Sequence, residues 1–311
     1  MSAAATRRNP PSIANIETTN VTRVLSALCI LAVGCGGFIR DQAASSTYRI
    51  LVRSTDVARR ESDLQLAREA LPAGLVQLEA FALAYPDHPE FRDLHAEALC
   101  QYAVAFVFDD WEDAKLAGRD AEVERVTDRL ARLLDRCLDA NLARLPPAWR
   151  TGPDGWAARA PTMTRGQVAP ALWLALGAGV RLAIDPMHHL AELPAIETVL
   201  ARCTALVPGF HDADGELMLG TLAAARAQIF GGNDGAEIFA RARELAGPGA
   251  LMIDVMFARG TAVARKDHAL FEATLGNVVS ADLARWPERR LSNELARRKA
   301  RRYLATPSLV P

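Results

Sequence analysis

No surplus of positive charge runs through this sequence: 36 lysines and arginines stand against 37 aspartates and glutamates, a formal net charge of -1 over 311 residues. A chain so balanced has no electrostatic pull toward a phosphate backbone, which argues against a nucleic-acid partner. Long runs of Val, Ile and Thr are missing, and with them the alternation of a half-buried strand. The sequence has no G-x-S-x-G elbow and no glycine-rich loop of the kind that cradles phosphate, so the usual signs of a hydrolase or nucleotide enzyme are absent. What is present favours helix, because segments rich in Ala, Leu, Arg and Glu lose little side-chain freedom there. The length is enough for one large core and too short to demand two. The expectation is an all-α single compact domain.

The first 34 residues read differently. A polar stretch with Arg7, Arg8, Pro10 and Pro11 ends at Arg23, and Val24 to Gly34 is apolar apart from Ser26. A run of that length suits a signal segment and falls short of a membrane span. Leu31-Ala32-Val33-Gly34-Cys35 then resembles a bacterial lipobox, with Ala32 where Leu is commonest. That resemblance implies cleavage before Cys35, a diacylglycerol on its thiol, palmitate as an acyl group of the anchor, and attachment to a membrane. Gly36 and Gly37 lack the Asp that retains lipoproteins at the inner membrane, so the periplasmic face of the outer membrane is the expected address. The expected division is 1–34 signal peptide, 35–60 lipidated tether and 61–311 helical domain. Without residues 1–34, which carry three basic and one acidic residue, the charge balance is -3. Cys100, Cys137 and Cys203 remain, each in an apolar helical pattern, with room for one bridge but no disulfide framework.

Helical grammar fills the rest. Leu64 to Leu71 forms a first apolar segment, and Leu75, Leu78, Ala82 and Tyr85 recur on one stripe that stops at Pro86. Asp87 with Glu90, Asp109 with Glu112, Thr164 with Gln167, and Asp234 with Glu237 have capping-box spacing. Val126, Leu130, Leu133, Cys137 and Leu138 keep one face apolar. Pro146, Pro147, Gly152, Pro153, Gly155 and Pro161 break the pattern, which predicts a long loop, a lid or an interaction surface. Asp234-Gly235-Ala236 and Asp267-His268-Ala269 lie 33 residues apart, each before a helix with a phenylalanine, Phe239 and Phe271. That period is close to a tetratricopeptide unit, a stacked antiparallel helical hairpin.

The chemistry-bearing residues are sparse. His188 and Glu192 share a helical face, with His211, Asp212 and Asp214 further on, but Gly215 comes too early for an EF-hand and two ligands make no site. No metal and no cofactor is expected. Tyr102, Phe106 and Trp173 are the aromatic candidates for lining a solute cavity, although core packing is the commoner role of such rings. Gly177 and Gly179 either let helices approach or leave space beside Trp173. Asp109, Asp110, Glu112 and Asp113 read as an acidic helix start suited to the dipole. Arg297, Arg298 and Lys299, in a cation-rich final helix, are candidates for contact with an anion or partner.

Five stretches resemble the T component of tripartite ATP-independent periplasmic (TRAP) transporters, a family of tetratricopeptide lipoproteins. They are residues 81–89 (FALAYPDHP), 102–106 (YAVAF), 169–173 (APALW), 231–234 (GGND) and 290–300 (RLSNELARRKA), and the likeness covers about residues 60 to 305. It implies a superhelical stack of hairpins around a cavity, a homo-oligomer, and partnership with the transporter's soluble substrate-binding subunit. The function it implies is non-enzymatic: binding or scaffolding that helps that subunit with a small organic or hydrophobic solute. The rival reading is a general tetratricopeptide scaffold for protein assembly in the envelope. A zinc hydrolase built on His188 is the third.

Overall fold

The computed structural model describes residues 40–310; the expected signal segment and Cys35 lie outside the described residues. The described residues fall into two compact units, divided between Val52 and Arg53. A helix, α1, covers residues 40–59, and the larger unit is helical throughout, with no strand among the described residues.

Asp63 starts α2 (Leu64–Ala84) by accepting from the N–H groups of Gln65 and Leu66 at 2.9 and 3.1 Å, two of the orphan donors of a helix start. The two apolar segments read from the sequence are one 21-residue helix that carries Pro72 in its interior. It pairs with α3 (Pro89–Tyr102), and the turn is closed by the rings of Phe81, Tyr85 and Phe91; Phe91 sits 5.7 and 5.4 Å from the first two. His88, not Asp87, is the N-cap, and its ring meets Glu90 at 3.1 Å.

A five-residue π-helical turn, Ala103–Val107, joins α3 directly to α4 (Phe108–Leu116). No helix starts at Asp109, so the capping box expected there does not form. After α5 (Asp120–Leu142), whose buried stripe is Val126, Leu130, Leu134, Cys137 and Leu138, a disulfide between Cys100 and Cys137 ties α3 to α5.

The Pro- and Gly-rich segment is not a loop. It folds into short turns around α6 (Pro153–Arg159), with Pro147 and Pro153 at first positions, where a missing N–H costs nothing. Trp149 and Trp156 hold it down, only 2% and 3% exposed. Thr164 and Gln167 form the expected capping box, and α7 (Val168–Ile184) follows. With the turn before it, from Arg165 on, this helix is apolar and long enough to cross a membrane, but it is the core of the body, packed on α3, α5, α9 (Leu193–Leu206) and α10 (Phe210–Phe230), with the short α8 (Pro186–His189) following it. Gly177 and Gly179 serve that packing. A Cβ at Gly177 would stand 2.8 Å from Leu138 Cδ1, and one at Gly179 would stand 3.2 Å from Met218 Cε, so neighbouring side chains already fill the space.

The chain then alternates through α11 (Ala236–Ala246), α12 (Leu251–Phe257), a second π-helical turn Ala258–Ala262, α13 (Val263–Arg265), α14 (His268–Ser280) and α15 (Arg290–Leu304). Phe239 and Phe271, the two repeated phenylalanines, are both buried. The side chain of Gln228 donates to the carbonyls of Arg259 and Gly260 at 3.2 and 3.1 Å, within the second π-helical turn.

Candidate functional site

The acidic run and the basic final helix, 190 residues apart, pair with each other. Lys299 Nζ lies 2.5 Å from Glu112 and 3.1 Å from Asp109, and Arg302 reaches the same two carboxylates at 2.7 and 2.6 Å. Arg298 Nε is 3.3 Å from Asp109, whose side chain is fully buried, and Tyr303 donates to Glu112 at 2.5 Å. Burial alone would raise the pKa of Asp109 and Glu112, but the charges of Lys299 and Arg302 outweigh it and hold both carboxyls below their usual range. Tyr303 moves the other way, raised first by burial and then by the charge of Glu112. Arg297 donates to the carbonyl of Ala281. The charge of Lys299 is thus directed inward, while Arg298 is the most exposed of the three cationic candidates, at 36%.

Tyr102 precedes the first π-helical turn and Phe106 lies within it. Their rings stack at 5.8 Å, Arg129 donates to the Tyr102 hydroxyl at 2.9 Å, and the Arg68 guanidinium sits 5.5 Å from the centre of the Phe106 ring. Both rings are buried in an apolar cluster with Trp111, Val126 and Leu130. Trp173 belongs to a different cluster, with Trp149, Trp156 and Leu172. The structure therefore brings together two of the three aromatic candidates and sets the third apart, with α3 as the link: Gln101, next to Tyr102, reaches His211 beside Trp173.

His211 is the feature that sequence reasoning undervalued. With Asp212 and Ala213 it forms three consecutive left-handed residues, at φ 53°, 56° and 64°, just after Gly209 at 71°. Each such non-glycine residue costs about 1–2 kcal/mol, so the turn stands only because its surroundings hold it. Asp212 is clamped by Arg289 at 2.6 Å, and Arg289 also donates to the carbonyls of Pro248 and Ala246. Ala213 is fully buried. The His211 ring meets Asp214 at 2.7 Å through Nδ1, and through Nε2 meets Glu97 at 3.5 Å and the Gln101 amide at 3.0 Å. Burial by itself would favour the neutral ring, but Asp214 and Glu97 overcome it and raise the pKa to about 10. The same Gln101 amide nitrogen donates to Glu97 at 3.0 Å, so Gln101, Glu97 and His211 form one network. An imidazolium with both nitrogens engaged is a donor and not a general base at neutral pH.

The Trp173 indole lies edge-on to His211, ring centres 5.0 Å apart, and its buried Nε1–H has no protein acceptor. Their chain neighbours Leu172 and Phe210 line a crevice with Cys203 and Glu216 that is too narrow to admit a water molecule. Burial pushes the Cys203 thiol up to about 12, with the charge of Glu216 adding to it. A wider cleft of about 310 Å³, lined by Arg243, Pro248, Leu251 and Asp254, opens beyond Arg289, and the Arg243–Asp254 ion pair spans 2.6 Å. None of these lining residues was legible as a site. His188 pairs with Asp185 at 2.8 Å, while Glu192 pairs with His189 and Arg181, each at 2.9 Å, so the i, i+4 pair read as possible ligands is divided between partners.

A family model described as the TRAP transporter T-component matches residues 60–308. No curated protein matches the chain.

Proposed function

The chain belongs to the TRAP transporter T-component family, an accessory component of an envelope transporter, and from that premise we propose that it is a non-catalytic protein that binds a small organic solute in partnership with the transporter's substrate-binding subunit. The observation that carries the solute reading is the buried Trp173 Nε1–H without a protein acceptor, edge-on to the His211 ring. A buried donor left unpaired costs about 1–3 kcal/mol, so such groups call for an explanation. An N–H left over in this way suits a carboxylate or carbonyl oxygen.

Two groups that might have served catalysis are unsuited to it. His211 is held as a cation, and the Cys203 thiol stays protonated well above neutral pH. The lipidated Cys35, expected from the sequence, would keep this binding function at the membrane, and the tetratricopeptide-like hairpins would present it. Cys35→Ala should then move the protein from the membrane to the soluble fraction.

The test is a fluorescence titration of the full chain with candidate carboxylates and lipids, run beside Trp173→Phe. Saturable quenching that Trp173→Phe removes, with helix content unchanged, supports the reading. Quenching that is identical in the variant, or absent from the native chain, would mean that Trp173 is a packing residue only.

A further inference from the structure

As the chain stands, no solute reaches the Trp173 N–H. The indole is 3% exposed, and the crevice walled by its chain neighbour Leu172, with Phe210, Cys203 and Glu216, admits no water. His211 packs on the indole, 5.0 Å between ring centres, and Phe210 walls the crevice, so one turn closes both. That turn is strained: His211, Asp212 and Ala213 are left-handed without glycine, and each holds its Cβ against the following carbonyl oxygen. The restraint on it comes from another part of the chain and is charged. Arg289 grips the Asp212 carboxylate at 2.6 Å and is itself fixed by the carbonyls of Ala246 at 2.8 Å and Pro248 at 2.6 Å. The Asp212 side chain is 52% exposed, so this clamp lies within reach of solvent. Gly209, which takes either sign of φ at no steric cost, stands just before the turn where a hinge would be needed.

We propose that residues 209–213 are a latched flap over Trp173, with the Asp212–Arg289 ion pair as the latch. While the pair is closed, the turn keeps its left-handed form. When the pair opens, the strain drives the turn toward ordinary dihedral angles. A change in the sign of φ at three consecutive residues swings the His211 ring off the indole and moves Phe210, which uncovers the Trp173 N–H and widens the crevice. Strain and latch oppose each other, so the turn is a bistable element of the kind that gates access to a buried site. The purpose of the flap rests on the solute reading; its opening is measured with no solute present.

Cys203 reports the opening, since it lines the crevice, is 2% exposed and is the one free cysteine among the described residues. The full chain is treated with a small maleimide at constant pH, with Cys203→Ser as the blank for any other thiol. Asp212→Ala should raise the labelling rate about tenfold, the effect of losing one charge-assisted hydrogen bond. Ala213→Gly should lower it, because glycine occupies the left-handed region without strain and favours the closed turn. Added salt should speed labelling of the native chain, whose latch it screens, and leave Asp212→Ala unaffected. Urea below the unfolding transition separates flap opening from global unfolding: labelling through the flap should change little, whereas labelling through the unfolded state rises steeply with the surface exposed. Asp212→Ala labelled at the native rate, Ala213→Gly labelled at the native rate or faster, or a steep urea dependence in Asp212→Ala would each overturn the proposal. Labelling that follows the flap, beside a fluorescence titration without quenching, would remove the solute reading and leave the flap standing.

Discussion

The indole of Trp173 stands edge-on to the imidazole of His211, 5.0 Å between ring centres, and the imidazole is held in turn by Asp214 at 2.7 Å. A strained turn of α10 thereby becomes part of the surroundings of the central core helix. Truncation separates the parts. Trp173→Ala should destabilise the fold by about 3–5 kcal/mol if the ring is core alone, measured by denaturant unfolding. Trp173→Phe keeps most of the apolar contact and removes only the unpaired N–H, so stability should hold while any solute affinity falls.

Titration of His211 gives a signed prediction. Its folded pKa, about 10, lies above the ordinary value of 6.5. The stabilisation it provides is therefore complete below about pH 6.5 and lost as pH rises toward 10. Melting temperature should fall across that window, and His211→Gln should flatten the fall. An unchanged slope in the variant would show that the ring is not the group responsible.

The buried charge cluster behaves in the opposite sense. The Asp109 and Glu112 carboxyls are depressed, so their stabilisation is present above about pH 4 and disappears as pH drops through the lower folded values. Asp109→Asn should cost about 3–5 kcal/mol at neutral pH, because Lys299 and Arg302 would be left buried with one carboxylate fewer. Pairing it with Lys299→Met should recover part of that loss in a double-mutant cycle; strict additivity would deny the coupling.

Reduction of the Cys100–Cys137 bridge, which closes 37 residues, should lower stability by about 4 kcal/mol on the chain-entropy model. A bridge of this kind persists in an oxidising compartment such as the periplasm. Thermal melts with and without reductant, beside Cys100→Ala with Cys137→Ala, measure it.

The helices were legible because their signals are local. Thr164 and Asp267 stand at helix starts as their positions require, and the phenylalanines after Asp234 and Asp267 mark equivalent buried positions. The Pro- and Gly-rich segment was misread because prolines forbid one long helix without forbidding several short turns, and Trp149 and Trp156 supply the burial that a loop would lack. The acidic run at Asp109 was misread for a different reason. Its partners, Lys299 and Arg302, come from the other end of the chain, and charge signs alone do not state who meets whom. Nor did anything local to Phe210 or His211 announce three left-handed residues without glycine; only Asp214, Arg289 and Glu97, brought in by the fold, make that turn tenable.

The central claim is partnership in solute transfer, and calorimetric titration of the full chain with the substrate-binding subunit of its own TRAP transporter tests it most directly, with and without the transported solute. The account predicts a saturable complex whose affinity shifts with solute and weakens in Trp173→Phe. A flat titration under both conditions, from two proteins shown to be folded, would contradict it.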